Sequence, residues 1–77
     1  MGKIEILDSP DNPEMTIQYH SSEPKVFFDI CDDGGRIVLT GTINEGHTKV
    51  SKSKIGKGFF NLVIVDGSSM QKKRFFL

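Results

Sequence analysis

The chain has 77 residues, ten basic and ten acidic, with a net charge of zero and one cysteine. That length holds one domain, the lone Cys31 excludes an internal disulfide, and no stretch approaches the ~20 apolar residues of a membrane-spanning helix. Apolar content is 36%, with six phenylalanines and no tryptophan, so the expected core is thin and phenyl-rich.

Residues 3–7 alternate Lys-Ile-Glu-Ile-Leu and predict a first strand. Asp8-Ser-Pro-Asp-Asn-Pro-Glu14 places two prolines among turn-forming residues and predicts a loop. In residues 15–19, Met15, Ile17 and Tyr19 share one face of a second strand. His20-Ser-Ser-Glu-Pro24 is a turn, and Pro24 holds the residue before it extended.

Residues 25–42 are the stretch around which the rest is laid. Val26, Phe28 and Ile30 alternate with Phe27, Asp29 and Cys31. Asp32-Asp33-Gly34-Gly35 then breaks the run, and glycines supply the positive φ of tight hairpin turns. A second β-rich run follows from Arg36 to Thr40, so a hairpin is expected. Asn44-Glu45-Gly46 is a loop, and residues 47–55 read as a weak strand, anchored by Val50 and Ile55, whose lysines suit an edge.

Residues 59–65 form the most apolar run. Phe60, Leu62 and Ile64 share one face, with Phe59, Asn61, Val63 and Val65 on the other. Asp66-Gly67-Ser68-Ser69 is a turn, and residues 70–77 are a closing strand with Phe75 and Leu77 inward and Lys72 and Arg74 outward. Seven short strands with turn signals every 8–12 residues predict an all-β fold: a single immunoglobulin-like antiparallel sandwich, with a small closed barrel as the alternative.

Charge is divided along the chain. Residues 1–45 hold three basic and nine acidic side chains, a net of −6; residues 46–77 hold seven basic and one acidic, a net of +6. This reads as two solvated, mutually attractive faces, or as a basic docking surface. Asp29, Asp32 and Asp33 near one turn lack the alternating ligand pattern of a calcium loop, and aspartates favour turns for their own hydrogen bonds. His20 and His47 show no ligand spacing, so neither metal nor cofactor is expected. Catalysis lacks a nucleophile and base in a common pocket, and the expectation is a non-enzyme. Gly56 and Gly58 lack phosphate-loop spacing and read as turn glycines. Lys49, Lys52, Lys54, Lys57, Lys72, Lys73 and Arg74, with Phe59, Phe75 and Phe76, leave a nucleic-acid-binding barrel as a rival, although net charge is zero.

Four stretches carry a family resemblance: Val26-x-Phe28-x-Ile30-Cys31-Asp32, Gly35-Arg36-Ile37-Val38, Gly58-Phe59-Phe60-x-Leu62-x-Ile64, and Lys72-Lys73-Arg74-Phe75. In order and spacing they resemble the C-terminal sorting domain of proteins exported by the type IX (Por) secretion system of Bacteroidetes. Ser9-Pro-Asp-Asn-Pro-Glu-Met-Thr-Ile17 is similar to that family's opening segment. Cys31 stands where the family usually has Tyr, and Phe60 replaces another Tyr.

The resemblance implies an immunoglobulin-like sandwich that addresses a covalently attached upstream cargo to the secretion machinery. The product would be secreted or held at the cell surface by way of the periplasm. By position it implies Gly35, Gly58, Lys72, Lys73 and Arg74 as protein-recognition residues. Turn geometry for the glycines and edge protection for the basic residues are the competing structural roles. On this reading Met1-Gly2 is a cloning remnant, no membrane insertion is expected, and the chain is a monomer or a strand-swapped dimer. A small secreted adhesion or binding module is the alternative function.

Overall fold

The computed structural model describes residues 3–44 and 46–77, so Met1-Gly2 and the Glu45 position of the predicted loop lie outside the described residues. Seven strands follow one another: β1 (Glu5–Leu7), β2 (Glu14–Tyr19), β3 (Val26–Asp32), β4 (Ile37–Thr42), β5 (Gly46–Ser51), β6 (Phe59–Asp66) and β7 (Ser69–Phe76). They form two antiparallel sheets, ordered β1-β2-β5 and β4-β3-β6-β7. The chain crosses between sheets after β2, β4 and β5. This is an immunoglobulin-like sandwich in which the fourth strand sides with β3 rather than with β2 and β5. The sheets remain separate, and the closed barrel falls away.

Alternation determines what each strand buries. Met15, Ile17 and Tyr19 face Val26, Phe28, Ile30, Phe60, Leu62 and Ile64 across the sandwich, with Ile4, Val50 and Ile55 completing the core. Burying an aliphatic or phenyl side chain contributes about 1.5–3 kcal/mol, so these few residues carry most of the hydrophobic stabilisation. Thr48, also buried, accepts the Asn44 backbone N–H at 2.8 Å through its hydroxyl.

Two details depart from expectation. The predicted hairpin forms, but the centre of the larger sheet is β3 against β6, seven residue pairs in unbroken register from Val26↔Asp66 to Asp32↔Phe60. β4 is an edge strand with a register shift at Ile30/Cys31 and no fully buried residue. Residues 47–55 are not one strand, because Lys52–Lys54 form a 3-10 turn. The Lys52 N–H bonds the Pro13 carbonyl at 2.9 Å, and its ammonium reaches Asp8 Oδ1 at 2.6 Å and the Ser9 carbonyl at 2.9 Å. That clamp to the β1–β2 loop bends the chain off β5 and drops Ile55 into the core.

Candidate functional site

The β3–β4 turn is built by one carboxylate. Asp32 Oδ1 accepts the backbone N–H groups of Gly34 at 3.0 Å and Arg36 at 2.9 Å, while its own N–H and carbonyl pair with Arg36 and Gly35. The Arg36 backbone bond, more than any other influence, holds the Asp32 carboxyl below its ordinary pKa, against a smaller opposing effect of desolvation. Asp33 points elsewhere, to Arg74 Nη2 at 3.3 Å. The turn aspartates therefore serve the backbone and a cross-sheet ion pair. Among the described residues no group of three His, Cys, Asp or Glu side chains could hold a metal ion.

Arg74 sits on β7, two strands from the turn it contacts. Its guanidinium lies 4.6 Å from the centroid of the Phe59 ring, and Phe59 packs on Phe76 at 4.8 Å between centroids. A cation over an aromatic face adds about 0.5–1 kcal/mol at exposed sites. Arg74 thus ties the β3–β4 turn, β6 and β7 together on the outer surface of the four-stranded sheet.

The registers give that whole surface. Across β4, β3, β6 and β7 the outward rows read Thr42, Phe27, Val65, Met70; then Thr40, Asp29, Val63, Lys72; then Ile37, Cys31, Asn61, Arg74; and finally Phe59 beside Phe76. Phe27, Ile37, Phe59, Met70 and Phe76 are between 48% and 71% exposed. Of the six large hydrophobic side chains left exposed among the described residues, only Leu7 lies off this face. The outer face of the smaller sheet is different: apart from Leu7 it carries Glu5, Glu14, Thr16, Gln18, His47, Lys49 and Ser51. One side of the sandwich is dressed for water, and the other is not.

The five residues implied by the resemblance are only partly gathered. Gly35 (φ +88°) closes the β3–β4 turn. Gly58 (φ +124°) leads into β6, and its N–H and carbonyl pair with Leu77 at 3.0 and 2.9 Å, extending the β6–β7 ladder. Both lie at the end of the sandwich that holds Arg74. Lys72 lies on the outer face two rows from Phe59. Lys73 is opposite Leu62 on the core-facing side, yet exposed, because β7 is an edge strand. An inward-pointing charge at an edge discourages further pairing.

Phe27 and Met70 were not singled out from sequence, and Phe76 only as a base-stacking candidate. Their signal was present: Phe27 lies outward in an otherwise regular alternation, and β6 is apolar on both faces, a pattern of strands covered on both sides. A shallow groove of about 780 Å³ lies between the β1–β2 loop and the C-terminal residues, bordered by Pro10, Pro13, Lys57, Phe76 and Leu77. It opens at the margin of the same face. Comparison with known protein families returns no matching family model, and comparison with curated proteins returns no relative.

Proposed function

We propose that the chain is a non-enzymatic sorting module of the type IX kind, which directs an upstream cargo protein across the outer membrane and is recognised as a folded surface. One observation carries this reading. The four stretches on which the resemblance rests fall on β3, β4, β6 and β7, the four strands of one sheet. Residues scattered over about fifty positions of sequence thus meet in one surface. Their inward members make this sheet's side of the core, and their outward members include Lys72 and Arg74. The basic side chains of the C-terminal half do not form a single track. Lys49 lies on the opposite face, and Lys52 is committed to Asp8. This favours recognition by a protein over recognition of a nucleic-acid strand.

A second reading, a small secreted binding module, draws support from the apolar outer face. One experiment separates the two. Residues 1–77 are fused behind a signal peptide and a fluorescent reporter, in a Bacteroidetes host with and without a working type IX translocon. Translocon-dependent reporter in the medium or on the surface is the expected result. Reporter retained in the periplasm of both hosts would refute the sorting role and leave the binding module.

A further inference from the structure

We infer that the outer face of the four-stranded sheet is a self-complementary surface whose occupant is a second copy of this chain. The inference goes beyond the sorting reading and does not depend on it. The face carries five half-exposed or more exposed hydrophobic side chains. Three of these are phenyls, which alone leave roughly 300 Å² in water, given about 200 Å² per side chain. They lie at the two ends of the face, Phe27 in the first row and Phe59 and Phe76 in the last, linked along β6 by Val63 and Val65, and exposed apolar area of this order is often functional.

The charges identify the occupant. In the row Asp29, Val63, Lys72 the two charged residues flank β6, one on β3 and one on β7. Two strand spacings put their backbones about 9.6 Å apart. Among the described residues neither takes part in an ion pair within the chain. A two-fold axis in the interface plane, parallel to β6 and above it, exchanges the β3 and β7 sides of facing sheets. Asp29 of each copy then faces Lys72 of the other, forming two equivalent pairs.

The same operation pairs the first row and the β6 positions, while in the third row it sets Cys31 opposite Arg74 and leaves Ile37, on β4, at the rim. Phe27 faces Met70, and Val63, Val65 and Phe59 each face their own counterpart. An isologous contact requires this kind of pattern, in which a patch is complementary to itself. The strands of the two facing sheets run nearly aligned, the usual geometry when sheets stack. The molecule extends 31 × 26 × 16 Å, so its broad side has room for the ~800 Å² that each partner contributes to a standard-size interface. No strand is exchanged, so this dimer differs from the strand-swapped one that the sequence suggested.

Sedimentation equilibrium of the 77-residue chain at low salt, up to about 1 mM, tests the inference. A monomer–dimer equilibrium is expected. Asp29→Lys and Lys72→Asp each place like charges opposite one another twice, so each should raise the dimer Kd by about tenfold or more. Combining both substitutions restores opposite charges and should restore the dimer. All sites are exposed or half-exposed, and circular dichroism verifies that each variant is folded. A wild-type chain that stays monomeric throughout overturns the inference and assigns the face to another partner. A dimer indifferent to both single substitutions, or not recovered in the double variant, overturns it as well. Neither result touches the export assay.

Discussion

Tyr19 at the end of β2 donates its phenol to Asp66 Oδ2 at the end of β6, 2.6 Å away, and so joins the two sheets by a buried hydrogen bond. Ser21 Oγ donates to the other carboxylate oxygen at 2.7 Å, and Gln71 Nε2 donates to the Tyr19 oxygen at 3.1 Å. The Tyr19 bond first, and the Ser21 bond next, pull the Asp66 carboxyl below its ordinary range, while desolvation opposes them. Lowering the folded-state pKa means that the contribution to stability is complete above the unfolded value near 3.8. It is lost as pH falls through the lower folded value. Tyr19→Phe should therefore be less stable than wild type at neutral pH, and the gap should close in that acid window. Urea denaturation of both proteins from pH 7 to pH 2 measures it, and a gap independent of pH would show that the ionised carboxylate is not the partner that matters.

Phe60 is the core anchor of β6, packed on Phe75 at 5.8 Å between ring centroids and 5% exposed. Truncation to alanine should cost about 3–5 kcal/mol, a large part of the 5–15 kcal/mol that holds a typical domain folded. Phe59→Ala, one residue away on the outer face, should cost far less, because its ring is already half in water. Equal losses in the two variants, by denaturant titration, would mean that the assignment of faces on β6 is wrong.

Gly41 is opposite Phe28 in the β3–β4 register, and a β-carbon built on it would lie 2.7 Å from two atoms of the Phe28 ring. The ring therefore lies flat across the β4 backbone, and glycine is there to admit it. Phe28 is 4% exposed and has little room to retreat. Gly41→Ala should destabilise by about 1–3 kcal/mol as an overpacking change. In a double-mutant cycle with Phe28→Leu, the second alanine effect should shrink, since the smaller side chain leaves the space free. Additive losses would sink the explanation.

How much of this was legible follows from the range of each signal. Period-two alternation placed Met15, Ile17, Tyr19, Phe60, Leu62 and Ile64 inward, and all six are buried, because a strand that buries one face must alternate. Turn chemistry at residues 32–35 and 66–67 marked both hairpins of the larger sheet. Pairing between distant strands left no local trace. The sequence does not show that β3 lies on β6, that Tyr19 reaches Asp66 across 47 residues, or that Arg74 covers Phe59 while holding Asp33. The lysines at 52 and 54 resembled edge protection, yet Lys52 makes a clamp, since its partner Asp8 is 44 residues distant. The outer face was half legible: Val63 and Val65 were visibly apolar on the outward side, but only the sheet order sets them beside Phe27 and Met70.

Gly35 and Gly58 separate conformation from space. A β-carbon on either would meet nothing within 4 Å, so any cost of substitution comes from the backbone alone. At Gly35 φ is +88°, near enough to the left-handed well that asparagine visits it with modest strain. At Gly58 φ is +124°, well outside that well, and its N–H and carbonyl are fixed by their two bonds to Leu77. Gly35→Asn should therefore cost under about 1 kcal/mol, and Gly58→Asn about 1–3 kcal/mol. The second loss should be accompanied by faster amide exchange at Leu77, whose N–H depends on the Gly58 carbonyl. If Gly58→Asn is as stable as Gly35→Asn and Leu77 stays protected, this glycine is not required by backbone geometry. A recognition role for its bare backbone, implied by the resemblance, would then become the better account of its presence.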